Sequence, residues 1–415
     1  MNIEVMELAD RAEVRCIDRF REIDRVAQEN TERVLNAFRN HRVSDSCFAG
    51  TTGYGYDDLG RETLDRIYAD LLGTESAIVR IGFVNGTHAL TSALFALVKP
   101  GDTLLSVTGL PYDTLQEAIG IRGNSFGSLK FYGVNYQQVE LSASGEPDYK
   151  SIAEACKNTT VKAVTIQRSR GYSNRKALTV SEIGKIIDTI RQVRDDINVM
   201  VDNCYGEFTD LIEPGHVGAD LLAGSLIKNP GGGLAPAGGY VAGREVLVQR
   251  AAARLTTPGI GGECGASLGN NRLLFQGLFI APHIVSQALK TAVFCAAIMD
   301  EIGIKSFPAV NDPRSDIIQT IQLGSEDRMR RFCRGIQKGA PVDSFVTPEP
   351  WNMPGYDNPV IMAAGAFIQG SSIELSADGP IREPYNVYMQ GGITYESGKL
   401  GIMYAVEELL RQWPQ

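Results

Sequence analysis

The chain has 415 residues, with 40 Lys and Arg against 49 Asp and Glu, a formal charge of −9, and 43% hydrophobic and 21% charged residues. That is the composition of a globular protein with a large core, and its length suggests roughly two or three domains. The acidic balance argues against bulk binding to nucleic acid or anionic membrane, both of which need a positive field, while leaving room for a small anionic ligand in a local basic pocket. Met1-Asn2-Ile3-Glu4-Val5-Met6-Glu7 carries acids where a secretory signal needs a basic patch. The apolar stretch 273–289 is interrupted by Gln276, Pro282, His283 and Gln287, so it reads as a buried helix and not a membrane span. Seven cysteines, at 16, 47, 156, 204, 264, 295 and 333, include no C-x-x-C pair, which argues against a disulfide scaffold or zinc knuckle and for a cytoplasmic protein.

In chain order, residues 1–40 are charged and helical in character, with Ile17, Phe20, Ile23, Leu35 and Phe38 on helical spacing. A Gly/Tyr/Asp segment at 50–58 is irregular. From residue 61 short apolar runs alternate with amphipathic ones: helix 61–72, strand 77–84, helix 88–98, strand 103–107, helix 114–121, strand 130–134, helix 151–157, strand 161–166, helix 181–193 and strand 198–202. Strand candidates 221–227 and 239–242 then flank a glycine-rich loop. This alternation predicts an α/β layer sandwich with a mostly parallel sheet. A long helical region at 267–302 follows, and then a smaller α+β unit with strands at 317–323, 360–367 and 373–375 and helices at 326–338 and 396–412. The expected division is an N-terminal helical segment 1–50, a large domain 51–300 and a small C-terminal domain 301–415.

Four clusters carry candidate chemistry. In Ser225-Leu226-Ile227-Lys228-Asn229-Pro230-Gly231-Gly232-Gly233 a strand delivers a lysine into a loop too glycine-rich to shield it, where lowered proton affinity would make it a nucleophile toward an aldehyde. Asp202 closes an apolar strand, at the edge where α/β sheets bind ligands, and a carboxylate there can hold a proton on a heteroaromatic nitrogen. Asn85-Gly86-Thr87-His88 opens a helix with a small residue and a hydroxyl, as an anion site does. Tyr112, at another strand-to-helix turn, offers a ring to cover a flat ligand. Each has a plainer reading: a solvated strand-end lysine, a turn-capping aspartate, an N-cap by Asn85 or Thr87, a core tyrosine. Together, in this order, they supply a phosphate cup, a stacking ring, an acid for a ring nitrogen and a lysine for an aldehyde, which is what pyridoxal phosphate requires.

With those residues in place, the sequence from Tyr54 to the C-terminus resembles the fold-type I pyridoxal-phosphate enzymes, and within them the cystathionine β-lyase and methionine γ-lyase group. The nearest branch is the one described as carbon–sulfur lyases involved in aluminium resistance. The resemblance implies a large domain with a seven-stranded, mostly parallel sheet in three layers and a smaller α+β domain. It places Lys228 as the Schiff-base lysine, Ser225 as the phosphate hydroxyl, Asp202 facing the pyridinium nitrogen, Gly86 and Thr87 as the backbone cup, and Tyr112 as the stacked ring. Tyr54-Gly55-Tyr56 stands where the family has a Tyr-x-Arg pair lent to a neighbouring subunit's phosphate, so here the arginine is replaced by tyrosine. Gln167-Arg168-Ser169-Arg170 replaces an expected Pro/Asn segment, and Arg168 and Arg170 read either as substrate-carboxylate ligands or as a solvated basic loop. Arg382, in a segment resembling the family's arginine-bearing strand and loop, is the candidate for the substrate α-carboxylate.

The implied activity is elimination of a thiol from a sulfur amino acid, at Cβ or Cγ, giving a keto acid and ammonia, by a homodimer or homotetramer with shared sites. Lys228 is the expected base and Tyr112 the expected acid for the leaving thiolate. The alternatives are γ-replacement or transamination on the same scaffold, or a non-catalytic relative serving as a scaffold. The four histidines, at 41, 88, 216 and 283, are scattered, and no metal site is expected.

Overall fold

A computed structural model describes residues 1–123, 126–142, 144–173, 175–353 and 357–411. Helix α1 (Ile3–Asn40) opens the chain; its buried stripe, Val5, Leu8, Ala12, Cys16, Ile23 and Val34, joins the main core. Helix α2 (Leu59–Leu72) is started by Asp58, whose side chain accepts from the Arg61 N–H, and ended by Gly73 in the left-handed conformation.

The large sheet then assembles from β1 (Ser76–Arg80), α3 (Gly86–Leu97), β2 (Thr103–Ser106), α4 (Asp113–Ile119), β3 (Asn135–Gln138), α5 (Tyr149–Cys156), β4 (Val161–Gln167), α6 (Val180–Val193), β5 (Asn198–Asp202), β6 (Leu221–Ser225), β7 (Gly239–Gly243) and α7 (Glu245–Leu255). Strand order is β1-β7-β6-β5-β4-β2-β3; β7 runs antiparallel to both its neighbours and the remaining pairs are parallel. The central strands are mostly apolar and buried because helices cover both faces, as parallel sheets require, with polar residues chiefly at their ends. The two faces are visible as two separate buried clusters.

Helix α8 (Asn271–Glu301), long and apolar enough to cross a membrane, is mostly buried here, and α1 packs along it. Beyond it lie β8 (Ser306–Phe307), β9 (Ile318–Gln322), α9 (Glu326–Lys338), β10 (Val360–Ala364), β11 (Ser376–Pro380), β12 (Asn386–Gln390) and α10 (Tyr395–Leu410). The five strands form an antiparallel sheet in the order β10-β11-β12-β9-β8.

Two expectations from sequence need correction. Segment 130–134 is not a strand: Val134 N–H bonds back to Leu129 O and Gly133 is left-handed, so a turn seats Leu129 and Val134 in the core and the strand begins at Asn135. Residues 373–375 precede β11 instead of forming a strand. The strand itself, Ser-Ala-Asp-Gly-Pro, has polar and breaker composition, yet it is buried because β10 and β12 flank it. Strands β8 and β12 have no counterpart in the sequence reading. The last helix ends at Leu410, and residue 412 of the expected range lies outside the described residues.

Candidate active site

Strands β4, β5 and β6 run parallel in register, Gln167 beside Asp202 and Asp202 beside Ala223, so their C-terminal ends open on one edge of the sheet. Asp202 ends β5, Ser225 ends β6, and Lys228 lies just beyond. The loop after Lys228 doubles back so tightly that a Cβ on Gly231 would lie 1.8 Å from the Leu226 carbonyl oxygen. Asn229 locks this turn by donating from Nδ2 to the carbonyls of Tyr205 (2.9 Å) and Glu207 (3.0 Å).

Gly86 begins α3, with Asn85 as N-cap accepting from the His88 N–H at 2.8 Å. A Cβ on Gly86 would stand 3.0 Å from Ser225 Cβ and 3.7 Å from Cys204 Sγ, so the helix N-terminus, Ser225 and Cys204 converge. The Ser225 hydroxyl is buried and has no hydrogen-bond partner among the described residues. A buried unpaired hydroxyl is costly, and one set against a helix N-terminus is the chemistry of a phosphate cradle awaiting its acceptor. Thr87 is tied by its hydroxyl to that of Thr114 (3.1 Å), joining the starts of α3 and α4.

Asp202 is buried and accepts from the Cys204 N–H at 3.1 Å. Burial raises its pKa above the usual carboxylate value, opposed by the positive charges of Lys228 and Arg175. Burial disfavours the Lys228 ammonium, but Cys204, Tyr205, Tyr112 and Asp202 around it outweigh that and hold its pKa above the usual lysine value, the opposite of the lowered proton affinity expected from sequence. Tyr112, half-buried, is held by its N–H donating to Gln167 Oε1 (3.0 Å). The structure therefore brings Lys228, Asp202, Ser225, Gly86, Thr87 and Tyr112 to one edge of one sheet.

Arg168 and Arg170 depart from both readings given above, since neither is a solvated loop residue nor an open carboxylate ligand. Arg168 is fully buried; its Nη1 donates to Glu213 Oε2 (3.0 Å) and Asn203 Oδ1 (2.8 Å), and its Nε and Nη2 to Ser315 and Thr209. Arg170 is buried with its Nε 3.5 Å from Asp316. Their carboxylate partners come from distant segments, so no local pattern announces them. Arg382 is exposed, in a cleft of about 430 Å³ with Tyr172, Ser173, Glu383, Asn386 and Tyr388, and its charge reaches Asp113, beside Tyr112. Tyr54 and Tyr56 stand apart from the Lys228 group: they stack on each other at 5.5 Å and are exposed, in a segment pinned by Gly265 N–H to Tyr54 O (2.8 Å) and by Arg61 to Gly55 O.

Three site residues escaped the sequence reading. Gln167 positions the Tyr112 backbone; Cys204 lines the cup; Tyr205 places its ring 4.0 Å from Lys228 Nζ. All three lie at or next to the ends of strands already singled out, which was the signal available for finding them.

The methionine gamma-lyase family model matches residues 5–410. The chain belongs to that family. It is 49% identical over 393 residues to the uncharacterized protein YnbB of Bacillus subtilis, covering 94% of this chain and 93% of that one. It is 26% identical over 209 residues to L-methionine gamma-lyase of Pseudomonas putida, 49% of this chain and 47% of the relative. Among solved structures it is similar to a carbon-sulfur lyase involved in aluminum resistance from Clostridium novyi NT, with TM-score 0.95, 50% identity and coverage of 99% and 97%. The pyridoxal-5'-phosphate dependent protein YhfS of Escherichia coli, 17% identical with TM-score 0.62 over 92% of this chain and 96% of that one, shares the fold. The fold is type I, and the family implies pyridoxal phosphate as cofactor.

Proposed function

We propose that the protein is a pyridoxal-phosphate carbon–sulfur lyase that eliminates a thiol from a sulfur amino acid, the remaining enamine being hydrolysed by water to a keto acid and ammonia. The observation that carries this reading is the unpartnered Ser225 hydroxyl against the α3 N-terminus, on the same sheet edge as Lys228 and Asp202. The residues fit the cofactor: Gly86, Thr87 and Ser225 would hold its phosphate, Asp202 its ring nitrogen, Tyr112 its ring face and Lys228 its aldehyde. When bound, the cofactor supplies an electron sink for the substrate Cα–H bond. Lys228, once released, takes the Cα proton; Tyr112 gives a proton to the departing sulfur; Asp202 keeps a proton on the ring nitrogen. Arg382 is the proposed donor to the substrate carboxylate, across the cleft it shares with Tyr172 and Tyr388. A homodimer or larger homo-oligomer in the cytoplasm, with the exposed Tyr54–Tyr56 stack turned toward a neighbouring copy, is part of the same proposal.

The test is the visible spectrum of purified protein loaded with pyridoxal phosphate, beside Lys228→Ala, followed by cystathionine or methionine. The expected result is a visible band absent from Lys228→Ala, and release of ammonia, thiol and keto acid from at least one substrate. A band of equal strength in Lys228→Ala, or joined or transaminated products, overturns the reading.

A further inference from the structure

Tyr205 belongs to none of the roles assigned above, yet it is the side chain with its ring over the lysine amine, 4.0 Å from Nζ to the ring centroid. It reaches that place through an unusual backbone: its φ is +70°, a left-handed conformation that a bulky residue adopts only when its surroundings enforce it. The surroundings do so twice. Asn229, next to Lys228, donates to the Tyr205 carbonyl at 2.9 Å, so the lysine loop and the tyrosine are held as one unit. At the far end of the ring, the Ser372 hydroxyl donates to the Tyr205 hydroxyl oxygen at 3.2 Å, a tether from the segment before β11 in the smaller sheet region.

We infer that Tyr205 is a positioning residue for the Lys228 amine, holding it against the ring face and tying its placement to the small domain through Ser372. This rests on the cofactor reading of Lys228 given above. An aromatic face attracts a cation, and the attraction grows as the pair is withdrawn from water; here both groups are half-buried. The ring therefore favours the protonated nitrogen of residue 228, and it gives the amine a fixed station whenever it is free. The other ionisable groups facing that amine are Asp202 at the end of β5, Cys204 two residues beyond it and Tyr112 before α4; behind them Arg175 faces Asp202, and Asp378 of β11 faces Tyr205.

The experiment compares wild type, Tyr205→Leu and Tyr205→Phe by two readouts that do not depend on turnover. One is the pH midpoint of the visible band of the loaded protein. The other, in protein stripped of cofactor, is the pH dependence of Lys228 acetylation followed by mass spectrometry. Loss of the ring is expected to lower both midpoints by about one pH unit, whereas Tyr205→Phe, which keeps the ring and loses the tether, moves them less. If Tyr205→Leu does not fold, Tyr205→Asn, whose side chain tolerates the left-handed backbone, takes its place. Midpoints unchanged in a folded ring-deleted variant overturn the inference, as does a Tyr205→Phe shift equal to that of Tyr205→Leu. A wild-type protein that takes up no pyridoxal phosphate refutes the cofactor reading instead, and the acetylation profile still decides the role of the ring.

Discussion

Replacing Ser225 by Ala separates a hydroxyl kept for the fold from one kept for a ligand, because the two roles give opposite signs. The Ser225 Oγ is buried at the end of β6 and hydrogen-bonds to nothing among the described residues. Removing it from the stripped protein breaks no hydrogen bond and deletes a buried unsatisfied polar atom, a group that costs about 1–3 kcal/mol, so stability stays level or rises. In the loaded protein the same hydroxyl would donate to a charged phosphate oxygen, a bond worth about 1.5–3 kcal/mol, so its loss weakens cofactor affinity roughly 10- to 100-fold. Cβ is retained, so its packing against Gly86 is undisturbed. Urea unfolding of the stripped protein and absorbance titration with pyridoxal phosphate measure the two terms. A variant that loses a kilocalorie or more of stripped-state stability while binding the cofactor as before would refute the reasoning and make Ser225 a structural residue.

Two further outcomes follow from the buried network behind β5. Glu213→Ala strands the fully buried Arg168 without its carboxylate, and is expected to cost about 3–5 kcal/mol in urea unfolding, as breaking a buried ion pair does. A loss under a kilocalorie would show that Asn203, Thr209 and Ser315 suffice. Burial pushes the pKa of Glu207 up to about 8, against the hydrogen bond from the Tyr240 hydroxyl. The unfolded chain releases that proton near the ordinary value of about 4.3, so the contribution is fully present below it and declines by about 1.4 kcal/mol per pH unit toward the folded value. Glu207→Gln should flatten the stability profile measured by urea unfolding across that window, and an unaltered slope would show that Glu207 is ionised in the fold.

The sequence by itself determined the layered α/β architecture, because strands covered on both faces must be apolar and their helices must be amphipathic, and both periodicities are local. It also placed Asp202, Lys228, Gly86, Thr87 and Tyr112 at strand-to-loop or strand-to-helix junctions, since a parallel sheet puts its ligand edge at strand C-termini. What only the tertiary structure decided is which charges find partners. Arg168 and Arg170 occur in one short run that reads either as substrate-carboxylate ligands or as a solvated basic loop, but Glu213 and Asp316 arrive from other parts of the chain and draw both guanidiniums into the interior. Strand β11 shows the same limit: Ser-Ala-Asp-Gly-Pro has no strand signal, and it is a strand because the backbones of β10 and β12 complete its hydrogen bonds. The ring of Tyr205 over Lys228 is likewise set by a left-handed φ and by bonds from Asn229 and Ser372. Propensity and periodicity act between near neighbours, whereas these contacts join residues far apart in the chain, and only the closed fold brings them within hydrogen-bonding reach.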